Sequence, residues 1–198
     1  MSLIYLLYNQ TERLMILRAV QTEQYCTYEE WLELEDGNRY ELHNGRLFMM
    51  AGPSQQHAEI STEMSRQIAN FLIDKPCRVY HAPFDVRLYE YGDTVYQPDL
   101  LVVCDSSKLD GKRCIGAPDF IVEVLSDSTS GIDKVAKFND YLRSGVREYW
   151  IVDPKDKTVT AFRLMDEIYS ANVYSNSNIA PVQVLPGCEI DLSLVFRD

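Results

Sequence analysis

The sequence predicts an α/β protein with a mixed central β-sheet flanked by helices, and three observations support this class. A strand, a helix and a second strand follow one another between Phe120 and Val152, the pattern of a right-handed crossover between parallel strands. Hairpin patterns flank this unit and add antiparallel strands. The 198 residues, 46% hydrophobic and 25% charged, suffice for one globular domain with its own core.

The first twenty residues, Met1–Val20, are apolar in two bursts that the polar stretch Asn9–Arg13 interrupts. The segment lacks the basic start and the small-residue cleavage site of a signal peptide, and it is too short and broken to span a bilayer. We therefore expect no membrane segment, an N-terminal extension over residues 1–24, and a single domain over residues 25–198.

The formal net charge is −11, so the surface as a whole repels polyanions. Binding of nucleic acid would then require a local basic patch. The best candidate is the polar loop 106–116, which holds Lys108, Lys112 and Arg113.

The five cysteines are scattered, and no two of them have the spacing of a zinc or redox motif. They are Cys26, Cys77, Cys104, Cys114 and Cys188. The three histidines do not complete a zinc-finger pattern either. We expect five reduced thiols in a cytoplasmic protein.

Local signals place the elements of the first half of the chain. Thr27 and Glu30 form a capping box that starts a helix ending near Glu35. The dipeptide at 44–45, Asn-Gly, predicts a hairpin turn between strands at 40–42 and 46–50. Ser54 precedes a long helix with apolar residues at helical spacing, and Pro76 ends it. Strands are predicted at 77–81, 84–89 and 96–104.

The second half contains the crossover. Residues 120–125 form a nearly all-apolar strand, which indicates burial on both faces. Polar residues at 126–129 provide N-caps for a helix over 131–143, and Gly145 follows its end. A buried strand at 148–152 includes Tyr149 and Trp150 as core residues. Further strands are predicted at 158–164 and 168–174, with an edge strand at 182–185.

Two carboxylates lie where apolar strand residues are expected. Glu123 is surrounded by apolar neighbours, and Asp99 follows Pro98 at the start of an apolar run. A buried carboxylate usually protonates or finds a cation, and carboxylate oxygens suit Mg²⁺, Mn²⁺ or Ca²⁺. The alternatives are that Asp99 bonds a nearby amide at a strand entry and that Glu123 pairs with a buried arginine or faces solvent.

The helix over 131–143 carries two stripes. Val135, Phe138 and Leu142 form the predicted core stripe. A second stripe, formed by Asp133, Lys137 and Tyr141, is displaced to one side, so Lys137 is able to point toward Glu123. An exposed pair of Asp133 with Lys137 explains the same spacing equally well.

Several strings of the chain resemble the Uma-two family, whose members have a restriction-endonuclease-like fold of the PD-(D/E)xK nuclease superfamily. The resemblance covers residues 25–196. The strings are PD at 98–99, PDFIVEVLS at 118–126, D-x-x-x-K-x-x-x-Y at 133–141, GVREYWIVDP at 145–154, YELHNGRL at 40–47, GPSQQH at 52–57 and LPG at 185–187.

The resemblance implies a set of catalytic residues. Asp99 matches the first acidic metal ligand of the superfamily, and Glu123 matches the acid of its ExK element. Leu125 stands where the active lysine is usual, and Lys137 on the next helix takes its place. Glu41 matches an upstream glutamate that some superfamily members add to the metal site. His57 matches a family position for which we expect a packing role at the helix start.

The implied function is metal-dependent hydrolysis of DNA phosphodiester bonds. Asp99, Glu123 and the Val124 carbonyl would hold Mg²⁺ or Mn²⁺. Basic residues would offset the acidic surface near the DNA; they are Lys108, Lys112, Arg113 and Lys134. The alternative is a catalytically silent endonuclease-like fold that binds nucleic acid or a protein partner. The resemblance also allows a homodimer.

Overall fold

The computed structural model describes residues 25–126 and 131–197, and the side chains of residues 131–134 lie outside this description. The predicted N-terminal extension and the predicted caps at 127–129 therefore lie outside the described residues. The chain divides into two compact units. The first includes the described residues up to Met50 together with Gly92–Thr94, and the second includes Ala51–Tyr91 and the residues from Val95 onward. No helix within the described residues is long and apolar enough to cross a membrane.

The first unit consists of one short helix and one hairpin. Its elements are α1 (Tyr28–Leu32), β1 (Tyr40–His43) and β2 (Arg46–Met49). The predicted capping box is present, because the Glu30 amide donates to Thr27 Oγ1 and the Thr27 amide donates to Glu30 Oε2. The helix ends at Leu32, earlier than predicted. The predicted turn is also present, with positive φ at Asn44 and Gly45.

The second unit contains the remaining elements. In chain order they are α2 (Gln55–Phe71), β3 (Arg78–His81), β4 (Asp85–Arg87), β5 (Val95–Tyr96), β6 (Leu100–Val103), a 3-10 turn (Ser106–Lys108), β7 (Arg113–Ile115), β8 (Phe120–Val124), α3 (Gly131–Ser144), β9 (Glu148–Asp153), β10 (Thr158–Met165), β11 (Ile168–Ser175), β12 (Ile179–Val182), β13 (Cys188–Asp191) and α4 (Leu192–Val195).

A six-stranded sheet with the order β11-β10-β9-β8-β6-β3 organises this unit. Strands β8 and β9 are parallel and α3 lies between them in the chain, whereas the other neighbours are antiparallel. The predicted mixed α/β class is therefore confirmed. Strand β4 pairs separately, antiparallel with β5 and parallel with β7.

Both faces of the sheet are covered. The apolar stripe of α2 packs on one face with Phe120, Val122 and Val124. That stripe consists of Ile60, Met64, Ile68 and Leu72. Side chains alternate between faces along a strand, and Ile121 accordingly belongs to the other cluster, with Tyr141 of α3. Glu123 has the same parity as Ile121, so β8 directs it toward α3.

The predicted strand 96–104 is interrupted at Gln97-Pro98-Asp99. Strand β5 ends at Tyr96 and pairs with β4, while β6 begins at Leu100 and pairs with β3 and β8. Proline has no amide hydrogen to donate to a ladder, so the chain leaves one set of pairings here and enters another. Asp99 consequently lies directly before β6.

Four short elements were not predicted or were misplaced. Strand β7 lies in the predicted loop 106–116, where it pairs with β4 in the register Val86↔Cys114. The predicted edge strand at 182–185 is wrong, because β12 ends at Val182 and turns before β13. Strand β13 and helix α4 follow where only a tail was expected. Elements of three or four residues depend on long-range pairing, which leaves no periodic signal in the sequence.

The buried face of α3 differs from the predicted one. Val135 is 60% exposed, so its assignment to the core stripe is wrong. Lys137 is only 7% exposed and Tyr141 is fully buried. Phe138 retains its core role, because its ring packs edge-on against the rings of Phe162 and Tyr169. The helix therefore turns its polar stripe inward.

The prediction of five reduced thiols is wrong for Cys77 and Cys104, which form a disulfide. The register Arg78↔Val103 between β3 and β6 brings these two cysteines opposite each other although they are 27 residues apart. Sequence spacing alone does not reveal such a pair. The other three cysteines are free and buried.

Reducing the Cys77–Cys104 disulfide should lower the free energy of unfolding by about 2–4 kcal/mol, because the bond closes a loop in the unfolded chain. Urea unfolding with and without dithiothreitol measures the loss. The control is the double variant Cys77→Ser/Cys104→Ser, whose stability should not respond to the reductant. A wild-type curve that dithiothreitol leaves unchanged would contradict the prediction.

Glu148 is a buried carboxylate on β9 with a structural role. It accepts hydrogen bonds from Trp150 Nε1 at 2.7 Å and from the Val184 amide at 2.8 Å. Burial raises the pKa of Glu148 above its usual value, although these donors oppose the change. A carboxyl group whose pKa is raised in the folded state contributes less stability as the pH rises from its unfolded pKa to its folded pKa.

Glu148→Gln should lower the free energy of unfolding by about 1–3 kcal/mol, since one donor would then face an amide NH₂ group. The loss should be larger at pH 5 than at pH 8, because only the wild-type residue titrates. Urea unfolding of both proteins at the two pH values provides the measurement, with the exposed Glu189→Gln as the control. A loss that increases with pH would refute the assignment.

Candidate active site

The two predicted acidic residues lie at neighbouring strands: Glu123 belongs to β8, and Asp99 directly precedes β6. Strands β6 and β8 pair with Leu100 opposite Val122 and Leu101 opposite Ile121. Carried one residue beyond the start of β6, the same register sets Asp99 opposite Glu123. Directly opposed residues have Cβ atoms about 5 Å apart, and like charges in such a pair repel. The sequence thus creates a local concentration of negative charge that requires cations.

Two groups contact Asp99 at its Oδ2 atom. The Val124 amide donates to this oxygen at 2.7 Å, and His57 Nε2 lies 3.1 Å from it. His57 is in the first turn of α2, where its amide donates to the N-cap oxygen of Ser54. The hydrogen bond with Asp99 raises the pKa of His57, against the opposing effect of burial. The charges of Asp99 and Glu123 raise this pKa further.

Glu123 has two partners on α3, both at its Oε1 atom. Lys137 Nζ lies 3.1 Å from Oε1, and the Tyr141 hydroxyl donates to it at 2.7 Å. The three side chains are buried or nearly so. Lys137 therefore meets Glu123, as the polar stripe of α3 predicts. Asp133, the other proposed partner of Lys137, lies outside the described side chains.

A second layer of contacts fixes the position of Lys137. Its Nζ lies 5.4 Å from the centre of the Tyr96 ring, close enough for a cation–π contact. The Tyr96 hydroxyl donates to Asp140 Oδ2 at 2.6 Å. Asp140 belongs to α3, so this bond ties the helix to β5 one turn beyond Lys137.

The second Pro-Asp dipeptide, at 118–119, has a different role. Asp119 accepts from Arg147 at 2.9 Å and from the Cys104 amide at 2.8 Å. The two carboxylate oxygens of Asp119 therefore link the ends of neighbouring strands, so the role of this side chain is structural. The two dipeptides look alike in sequence, but only the first lies opposite a second carboxylate.

The chemistry of the donors at 99 and 123 fits a hard divalent cation. In the part of the chain that the structure describes, no group of three or more His, Cys, Asp or Glu side chains is arranged to hold a metal ion. A closed structural zinc site needs four ligands. Mg²⁺ keeps several waters and uses one or two carboxylates, so the opposed pair Asp99–Glu123 is compatible with it.

The other predicted site residues are placed as follows. Glu41 belongs to the first unit, where it is buried and lies 2.9 Å from His43 through Oε2 and Nε2. Its role as a site residue stays a prediction. Val124 contributes its amide to Asp99, and its carbonyl as a metal ligand stays a prediction too.

The predicted basic patch is mostly used within the fold. Lys108 donates to the Ala117 carbonyl at 2.7 Å. Arg113 is buried, with Nε 3.4 Å from Asp110 Oδ2. Lys112 is exposed, and the side chain of Lys134 lies outside the described residues. The loop therefore does not provide the predicted cluster of solvent-facing cations.

Two site residues were missed. His57 was expected only to pack at the helix start, but its ring meets Asp99. Tyr141 was noted on the polar stripe without a role, and it donates to Glu123. The spacing of four between Lys137 and Tyr141 was the available signal, because it places both on one helix face.

Comparisons with known proteins identify a family and a shared fold. The model of the Uma2 family, described as "putative restriction endonuclease", matches residues 10–193. Two uncharacterized proteins of Synechocystis sp., slr1290 and sll1609, are each 27% identical to this chain. The first alignment covers 70% of this chain and 74% of the relative, and the second covers 69% and 80%.

A solved structure shares the fold. It is the crystal structure described as a putative nuclease belonging to DUF820 from Anabaena variabilis. The TM-score is 0.70 at 21% sequence identity, and the match covers 86% of this chain and 97% of the other. The mixed α/β fold that the sequence predicts is therefore also the fold of this neighbour.

The contact between Lys137 and Glu123 should give a clear signature in stability. Lys137→Met should lower the free energy of unfolding by about 3 kcal/mol, because it removes the ammonium that lies 3.1 Å from the buried Glu123 carboxylate. Glu123→Gln should cost less, because it also removes the repulsion between the two carboxylates. A double-mutant cycle by urea unfolding measures the coupling, with exposed Lys155→Met as the control. Additive losses would show that the contact carries no energy.

Proposed function

Since this chain belongs to the Uma2 family, we propose that it is a metal-dependent nuclease that hydrolyses phosphodiester bonds of DNA. The observation that carries the proposal is the opposed carboxylate pair Asp99–Glu123 with the Lys137 ammonium 3.1 Å from Glu123. Two acids and a lysine at one place, in a nuclease-like fold, are the groups that phosphodiester hydrolysis requires.

The acidic pair is the proposed metal site. Asp99 and Glu123, with the Val124 carbonyl, would hold Mg²⁺ or Mn²⁺. When bound, such an ion polarises a phosphate oxygen and lowers the pKa of a bound water. Its two positive charges would also offset the two carboxylates that the strand register forces together.

The protein's own groups have separate tasks. Lys137 places a positive charge beside the acids, where negative charge develops on the phosphate during hydrolysis. Tyr141 shares Glu123 Oε1 with Lys137 and keeps that oxygen in place. His57 and the Val124 amide do the same for Asp99 Oδ2. Each acid is thereby oriented before substrate arrives, which is the condition for efficient electrostatic catalysis.

In this proposal the catalytic lysine comes from a helix and not from the strand that carries the acid. Leu125 occupies the strand position of the superfamily's lysine, and Lys137 approaches from α3 instead. The bond from Tyr96 to Asp140 and the packing of Phe138 fix the helix. Activity should therefore depend on the seating of α3 as well as on the strand register.

Plasmid nicking in Mg²⁺ or Mn²⁺ tests the proposal. Asp99→Asn, Glu123→Gln and Lys137→Met should each reduce the nicking rate by about 100-fold or more, because each removes a charge from the reacting centre. Asp119→Asn is the matched control, since its side chain contacts Arg147 and the Cys104 amide instead. All proteins are assayed well below their unfolding temperatures, and the control should retain wild-type nicking.

Calorimetric titration with Mn²⁺ separates metal binding from activity. Wild type should release heat that Glu123→Gln abolishes and Asp119→Asn preserves. Binding of DNA without metal-dependent heat or nicking would support the alternative, a catalytically silent module. Equal nicking by wild type and Lys137→Met would remove the lysine from the mechanism.

A further inference from the structure

A cavity of about 470 Å³ opens beside the first turn of α2 and is separate from the opposed acids. We call it the α2–α4 cavity. Its lining combines two kinds of surface. The polar residues are Gln55, Gln56, Lys157 and Arg197, and the apolar residues include Leu194 and Phe196. Glu59 also lines it, and its carboxylate accepts a hydrogen bond from Gln55 Nε2 at 2.8 Å.

These residues have the chemistry that a nucleotide requires. A nucleobase packs on apolar and aromatic side chains, and glutamine amides hydrogen-bond to base edges. Arginine and lysine bind phosphate oxygens. The volume lies within the usual range of small-ligand sites. Lys157 and Arg197 come from distant parts of the chain, so the fold brings two cations together in a protein of net charge −11.

The chain places this cavity next to the acids. Gln55 and Gln56 directly precede His57, whose ring contacts Asp99 Oδ2. Lys157 follows the end of β9, and β9 pairs with β8 in the register Val124↔Val152. The Gln55–Gln56 side of the cavity is therefore adjacent in the chain to a group that contacts Asp99.

An acidic nuclease still needs cations at the point where the phosphate backbone approaches. Lys157 and Arg197 both line the α2–α4 cavity, so this cavity presents two cationic side chains to one space.

We propose that the α2–α4 cavity binds a nucleotide of the nucleic-acid strand adjacent to the phosphodiester that is cut. Lys157 and Arg197 hold its phosphate, and the Gln55–Gln56 edge faces its base above Leu194 and Phe196. This proposal rests on the proposed nuclease function, because that function brings a nucleic-acid strand to the acids. The binding test itself does not require cleavage.

The test is fluorescence anisotropy of a short labelled single-stranded DNA in EDTA, titrated with protein at several NaCl concentrations. Lys157→Gln/Arg197→Gln should weaken binding about tenfold or more at low salt, and should reduce the slope of log K against log[NaCl] by about 1.4, because two phosphate contacts are lost. The matched control is Lys155→Gln/Arg143→Gln, which removes the same charge from exposed positions. Its slope should equal that of wild type.

Equal losses in the two double variants would overturn the proposal, since net charge alone would then explain them. Absence of DNA binding by wild type would overturn it too. A deoxynucleoside monophosphate should compete with the DNA better than inorganic phosphate does, and equal competition would refute the nucleotide assignment.

Nicking assays of the same proteins separate this proposal from the proposed function. Metal-dependent nicking by wild type, with DNA binding unchanged in Lys157→Gln/Arg197→Gln, would refute the cavity and leave the nuclease. Cavity-dependent binding without nicking would support the cavity and refute hydrolysis.

Discussion

The pairing of β6 with β8 is the constraint on which the site depends. Extended one residue beyond the start of β6, this register places Asp99 opposite Glu123, where repulsion between the two carboxylates is unfavourable. The surrounding structure answers this repulsion from both faces of the sheet: α2 supplies His57 to Asp99, and α3 supplies Lys137 and Tyr141 to Glu123. The two helices that cover the sheet therefore also carry the side chains that contact the acids.

The buried face of α3 departs from the usual pattern of a helix that covers a core. A helix that covers a core normally buries its apolar stripe, yet here Val135 is exposed while Lys137 is buried. The cost of burying the ammonium is offset by its contact with Glu123 and by the Tyr96 ring. Such a local departure from the usual pattern is typical of functional sites, and the proposed role of Lys137 accounts for it.

The sequence was sufficient for the mixed α/β class, the capping box at Thr27 and the hairpin turn at Asn44, because each has a local or strongly periodic signal. The site roles of Asp99 and Glu123 stay predictions. The sequence was not sufficient for β7, β13 or the Cys77–Cys104 pair, which depend on pairing between distant segments. His57 was underestimated for the same reason, since its partner lies 42 residues away. The basic loop was overestimated, because a cation in sequence does not reveal whether a carbonyl within the fold already binds it.

The ring contacts of Phe138 with Phe162 and Tyr169 have a consequence for how the proposed site could diversify among relatives. The spacing of the acids is set by main-chain pairing, which side-chain replacement hardly alters. The position of α3 depends in part on the packing of these aromatic side chains. Substitutions among these aromatic side chains would therefore shift the Lys137 ammonium relative to the two acids. Relatives could in this way alter the proposed site without changing a charged residue.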